Sequence, residues 1–295
     1  MDNCSICLLC AVLTWRLETH GSQTRRAEVA HVQPQSFAMF SLQHLETLRS
    51  AEIDRVAALF PGGARVLEIG AGTGQQALEL QRRGFDVTAI ELATSEYGSH
   101  RVFPIIDYNG TTIPLPDSKI DLVFSSNVLE HIPDLARLHA EIHRVLAPGG
   151  RCLHVLPTHS WRFWTTLSGY PDAVLHLFFG VPKLLPHAIP RHAERHRLGE
   201  AWYRTARAVG GRLFPRRHGE RGNVLSELRL FHPNWWRRHF QANGFTILRD
   251  EPMGLFYTGN MLLGPRLGLA ERRRLAGFLG SACHLFELGL AANHT

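Results

Sequence analysis

Three glycines at alternating positions, preceded by an acid, form the stretch Glu68-Ile69-Gly70-Ala71-Gly72-Thr73-Gly74. Glycine lets a backbone turn sharply and leaves main-chain amides open to a ligand. A helix starting beside such a turn favours polar or anionic ligand groups. Twenty-one residues after Gly70 stands Glu91, closing a second apolar run. A carboxylate there can accept two hydrogen bonds from a ribose diol. Two histidines sit where proton transfer would be useful: His131, after the run Ile120–Ser125, and His159, after the run Arg151–Leu156. An imidazole near neutral pH can take a proton from a reacting group. These residues point to a nucleotide-like ligand held beside a proton acceptor. The dinucleotide spacing G-x-G-x-x-G requires a glycine where Gln75 stands, which disfavours a nicotinamide dehydrogenase.

The elements that must position these groups follow a regular order. Apolar residues recur at helical spacing from Leu42 to Leu59, and Pro61-Gly62-Gly63 stops that helix. Arg65–Ile69 reads as the first strand, the helix after the glycine turn runs to Arg83, and Phe85–Glu91 is the second strand. Strand, helix and strand in this compass make a βαβ unit, hence a parallel sheet with right-handed crossover. Further strands are expected at Val102–Ile106, Ile120–Ser125 and Arg151–Leu156, with a helix over Leu135–Leu146. After them come a helix at Pro233–Asn243, a sixth strand from Gly244 to Arg249, a seventh from Leu255 to Leu263, and an amphipathic helix from Ala270 to Ala291.

Composition bounds the class. The chain has 295 residues, 44% of them hydrophobic, and a net charge of +6, enough for one large α/β domain with insertions. Between His187 and Phe240 there are twelve arginines against four glutamates, a local excess of eight, so the rest is slightly acidic. Lys119 and Lys183 are the only lysines. The arginine bias fits genome composition, and nucleic acid is not an expected partner. Cys4, Cys7 and Cys10 lack a fourth ligand at a telling spacing, and five cysteines without an even framework suit a reducing, cytoplasmic setting. The apolar segment Ile6–Trp15 is too short to span a bilayer as a helix, and Asp2 stands where a signal peptide would be basic.

The stretches "LPDSKIDLVFSSNVLEHIPD" and "EIHRVLAPGG", taken with Glu68-x-Gly70-x-Gly72, Glu91 and Asp107, closely resemble the class I S-adenosylmethionine-dependent methyltransferases over residues 60–157. The resemblance implies a Rossmann-like, doubly wound α/β sheet of seven strands, mostly parallel with an antiparallel last strand, plus a helical insertion after the fifth. It divides the chain into a poorly structured tail (1–38), the cofactor-binding part (39–157), the insertion or substrate lid (158–231) and a C-terminal part of the same domain (232–295).

The cofactor implied is S-adenosyl-L-methionine. Glu68 would orient its amino group, directly or through water. Gly70, Ala71, Gly72 and Gly74 would line its methionine and ribose side, with Asn127 and Val128 along the methionine. Glu91 and Leu92 would meet the ribose, while Asp107 would bond the adenine amine beside Tyr108 and Asn109. Some quinone-pathway O-methyltransferases hold a divalent metal with a glutamate three residues before a Glu-His pair. Asn127 takes that place before Glu130-His131, so no catalytic metal is expected.

The implied activity is methyl transfer to a small-molecule or glycan-type acceptor, at oxygen if His131 or His159 serves as base. Two alternatives stay open: a cofactor-binding protein without turnover, and a nucleic-acid or protein methyltransferase. Base methylation is opposed by Ser126-Asn127-Val128, where an Asn/Asp-Pro-Pro-Tyr loop would stand. The insertion sets an apolar part, Trp161–Leu185, before the arginine run from Arg191 to Arg221. That pairing suits a lid, a peripheral contact with an anionic membrane, or a solvated basic face.

Overall fold

The computed structural model describes residues 42–180, 217–259 and 263–291. Its centre is a seven-stranded sheet in the order β3-β2-β1-β4-β5-β7-β6. The strands are β1 (Arg65–Ile69), β2 (Asp86–Leu92), β3 (Ile105–Tyr108), β4 (Ile120–Ser126), β5 (Leu146–Pro157), β6 (Phe245–Pro252) and β7 (Cys283–Leu290). Strands β1 to β5 pair in parallel, whereas β7 runs antiparallel to both β5 and β6. The helices are α1 (Leu42–Ala57), α2 (Gln75–Arg82), α3 (Leu135–Val145), α4 (His159–Gly180), α5 (Val224–Leu230), α6 (Pro233–Ala242) and α7 (Leu269–Leu279).

Parallel strands are covered on both faces, and their sequences are accordingly continuous apolar runs. One face carries Leu67, Ile69, Val123 and Cys152, packed against Leu138 and Ile142 of α3 and Trp236 and Phe240 of α6. The other carries Val66, Leu122, Phe124, Leu153 and Val155, packed against Leu48, Ile53 and Val56 of α1. The chain leaves β1 toward β2 on one side and returns to β4 on the other. In open α/β sheets this reversal opens a crevice at the carboxyl ends of the strands.

Three expectations are corrected. The third strand begins at Ile105, not Val102, because Val102 donates to Thr73 O and Phe103 packs over Gly74. No strand is formed by the described residues of Leu255–Leu263: Leu255–Thr258 joins no ladder, residues 260–262 lie outside the described residues, and Leu263 has φ 70°. The helix expected from Ala270 to Ala291 is α7 followed by β7. Gly280, at φ 88° and ψ 154°, breaks it, and a side chain there would meet Ser160 Cβ at 2.7 Å. The run Cys283–Leu290 then fills the slot between β5 and β6.

The insertion contributes α4 and α5. Residues 1–41 and 181–216 lie outside the described residues, and with them Cys4, Cys7, Cys10 and the arginines from Arg191 to Arg216. Two cations that the basic run seemed to offer to a partner are committed within the fold. Arg221 donates to Ile132 O at 2.6 Å and Leu129 O at 3.3 Å, beneath the Trp235 and Trp236 rings. Arg217 donates to Glu220 O at 3.0 Å. Arg272, 1% exposed, donates to the carbonyls of Leu267, Phe256 and Gly264. No helix among the described residues is long and apolar enough to cross a membrane.

Candidate functional site

The glycine turn joins β1 to α2. Gly70, Gly72 and Gly74 have φ of 73°, 58° and 81°, in the left-handed region. Gly70 N and Ala71 N both donate to Ile90 O, at 3.0 and 3.1 Å, which ties the turn to the neighbouring strand. Two of the glycines are also required by packing. A Cβ on Gly70 would lie 2.5 Å from Val128 Cγ2, and one on Gly74 would lie 2.6 Å from Phe103 Cβ. Gly72 has room, with the Tyr97 ring 3.6 Å away, so its backbone faces the crevice under an aromatic ring.

Two carboxylates bracket the turn. Glu91 Oε2 accepts from Gly72 N and its Oε1 from Leu92 N, both at 2.7 Å. Glu68 lies behind the turn at 2% exposure, and its Oε2 has no hydrogen-bond partner. Burial, and then the charge of Glu91, push its pKa up to about 8 against the bond from the Ala77 amide. A ligand with a cationic group near Glu68 would favour the ionised form.

Along the sheet edge, Glu91 and Asp107 are register partners on β2 and β3, so the two acids stand side by side. Asp107 is half exposed and accepts from Arg101 Nη2 at 2.5 Å. Tyr108 is only 6% exposed and belongs to the core, with its hydroxyl pKa raised by burial and by Glu91. Leu92 remains exposed. Asn109 caps its own loop, accepting from Thr111 N, Thr111 Oγ1 and Thr112 N. Tyr97 was missed in the sequence because no pattern separates it from the surrounding loop.

At the end of β4, Asn127 adopts φ 55°, a conformation asparagine tolerates better than most residues. Its backbone N–H donates to Val155 O at 2.8 Å. Val128, which packs on Gly70, leads into a 3₁₀ turn over Leu129–His131. Glu130 is 1% exposed, yet neither carboxylate oxygen has a hydrogen-bond partner. His131 Nε2 lies 3.7 Å from it, with the His131 side chain one-third exposed. His218 Nε2 approaches the same oxygen at 3.8 Å, its ring edge-on to that of His131. Burial pushes Glu130 upward, but the two imidazoles hold its pKa below the usual value. Burial lowers His131, against the pull of Glu130.

His218 reaches this place because the segment 217–221 is strapped against the turn Leu129–Ile132. Its amide and that of Gly219 donate to Glu227 Oε1 at 2.5 and 2.8 Å. Glu220 N donates to Glu130 O at 2.9 Å. Glu227 also pairs with Arg162 Nε at 2.8 Å, both side chains being buried. His159 stands apart from this cluster in its contacts: it stacks on His232, centroids 4.4 Å apart, and burial, His232 and His284 lower its pKa.

A glycine turn at a sheet reversal, with acids closing the next two strands, defines a class: open α/β proteins that bind a nucleoside-containing cofactor. Comparison with known proteins narrows it. A methyltransferase-domain family model matches residues 67–154. The chain is 30% identical over 179 residues to a ubiquinone biosynthesis O-methyltransferase of Hahella chejuensis, covering 56% of this chain and 70% of that one. It is 28% identical over 187 residues to an uncharacterized methyltransferase of Mycobacterium sp. (strain KMS), covering 59% and 68%. A solved S-adenosylmethionine-dependent methyltransferase from Mesorhizobium loti aligns over 81% of this chain and 97% of its own, at 17% identity and TM-score 0.46. The chain belongs to the class I S-adenosylmethionine-dependent methyltransferase family.

The residues present fit that cofactor: room beside Gly72, an orphaned oxygen on buried Glu68, and the adjacent acids Glu91 and Asp107. When bound, it supplies a methyl group on a positive sulfur. Replacing Glu91 with alanine is expected to weaken S-adenosylhomocysteine binding by about 1.5–3 kcal/mol, the scale of charge-assisted hydrogen bonds. Isothermal calorimetry reads this directly, and an unchanged affinity would remove Glu91 from the ribose site.

Proposed function

We propose that the protein transfers a methyl group to an oxygen of a small-molecule or glycan-type acceptor. The observation that carries this reading is the position of His131. Its partly exposed ring stands three residues beyond Val128, which itself packs on the cofactor turn at Gly70. A hydroxyl acceptor needs a group that draws off its proton as the methyl arrives, and buried Glu130 behind the imidazole would steady the charge it gains. Holding nucleophile and methyl together without water supplies the larger share, ~7–11 kcal/mol of the barrier. The Hahella relative, named for O-methylation, supports oxygen as the acceptor atom. His159, stacked on His232, is the second candidate.

The test incubates the protein and S-adenosylmethionine with pooled hydroxyl-bearing and amine-bearing metabolites. Formation of S-adenosylhomocysteine is followed, and the methyl is located by mass spectrometry. Methyl ethers are expected, and His131→Ala should lower kcat by about 10²–10⁴-fold with cofactor affinity intact. N-methylated products would overturn the oxygen assignment. Tight cofactor binding without turnover on any pool would favour a binding protein that lacks catalysis.

A further inference from the structure

The Glu130 carboxylate is 1% exposed. Burying a charge is expensive unless it is paired and hydrogen-bonded, and both oxygens lack a hydrogen-bond donor. Two imidazole nitrogens face it, at 3.7 Å (His131 Nε2) and 3.8 Å (His218 Nε2). Those separations are too long for hydrogen bonds, which lie near about 2.7–3.2 Å. They are close to the spacing of atoms that share an ion. Ligand atoms each about 2.0–2.1 Å from a tetrahedral metal sit about 3.3–3.5 Å apart. One carboxylate oxygen and the two nitrogens all lie within 4.8 Å of one another.

We propose that Glu130, His131 and His218 form a binding site for a divalent transition metal of the Zn²⁺ type. The expectation of no metal rested on Asn127, which cannot complete the Glu130-His131 pair, whereas the structure brings the third ligand from the insertion. Two imidazoles and one carboxylate select borderline metals over Mg²⁺ or Ca²⁺, which prefer oxygen donors. Three protein ligands leave a fourth position open.

The surroundings hold the ligands in place. Glu130 O accepts from Glu220 N, and a Cβ on Gly219 would lie 2.8 Å from that same carbonyl, so the strap can approach this closely only as glycine. The His218 ring is flanked by Trp161 at 4.7 Å and Phe231 at 6.1 Å between centroids. Their packing fixes the ring without supplying a hydrogen bond.

The inference rests on side-chain geometry and stands whichever acceptor is methylated. If the acceptor is a hydroxyl, its oxygen would take the ion's open position, where the positive charge would favour loss of the proton to solvent. The metal-free cluster, with Nε2 of His131 vacant, is the proton-accepting form described above.

The experiment is a Co²⁺ and Zn²⁺ titration of the full chain carrying Cys4→Ser, Cys7→Ser and Cys10→Ser, which removes a competing set of thiolates. One equivalent of Co²⁺ is expected, with visible d–d bands and no thiolate charge-transfer band. His218→Ala should weaken uptake by at least about 10–100-fold, since loss of a direct ligand costs no less than loss of its supporting partner. Retained S-adenosylhomocysteine binding certifies the fold of the variant. Should His218→Ala fail to fold, Glu130→Gln, nearly identical in shape, decides in its place. Absence of stoichiometric uptake, or uptake unchanged in the decisive variant, would overturn the proposal. Because metal uptake is read without an acceptor, failure of the oxygen assignment would leave this result untouched.

Discussion

Glu227→Ala is expected to destabilise the protein by about 3–5 kcal/mol, the range for breaking a buried ion pair from one side. The carboxylate is fully buried and serves three groups: Arg162 Nε at 2.8 Å, His218 N at 2.5 Å and Gly219 N at 2.8 Å. Its removal takes a counter-charge from a buried guanidinium and leaves two amides without the oxygen they donate to. Glu227→Gln keeps an acceptor oxygen while losing the charge, so its loss should be smaller. Urea unfolding of the cofactor-free protein measures both. A loss under about 1 kcal/mol for the alanine variant would match an exposed pair rather than a buried one. The variant also links stability to the site, since His218 depends on Glu227 for its backbone position.

Gly70→Ala should cost about 2–5 kcal/mol, from two separable sources. Left-handed backbone strains an L-residue by about 1–2 kcal/mol. The new methyl would also meet Val128 Cγ2 at 2.5 Å and Cγ1 at 2.7 Å, an overpacking worth about 1–3 kcal/mol. Adding Val128→Ala should recover the second part and leave the first, giving a coupling energy that a double-mutant cycle isolates. Gly72→Ala is the contrast: its nearest neighbour is the Tyr97 ring at 3.6 Å, so only the backbone term applies. Equal losses for Gly70→Ala and Gly72→Ala would show that the contact with Val128 carries no weight.

The glycine turn and the acids that flank it were legible because their determinants are local. Glu68, the glycines and Glu91 are set by a strand, a turn, a helix and a strand in direct succession, each with its own apolar period. The adjacency of Glu91 and Asp107 comes from the register of β2 and β3, which the sequence reading did not specify. Phe103, read as part of that strand, instead covers Gly74 and the start of α2, a demand no periodicity reveals.

The cluster around Glu130 was opaque for the opposite reason. His218 lies in a run read for its arginine charge, and contacts remote in sequence, through Glu227, Arg162 and Glu220, bring it beside Glu130. The same holds for β7, whose apolar residues looked like the continuation of a helix. What makes Cys283–Leu290 a strand is a vacancy between two others far away in sequence.

That vacancy sets an order of events during synthesis. Among the described residues β6 pairs with β7 alone, which the ribosome makes after it. Until Cys283–Leu290 has been made, the nascent chain holds a parallel sheet ending at β5 and a separate segment, Phe245–Pro252, with no neighbour to join. Both are open edges of the kind that recruit other chains. A chain stalled between β6 and β7 therefore carries a complete glycine turn with Glu68 and Glu91, and two unpaired strand edges at once.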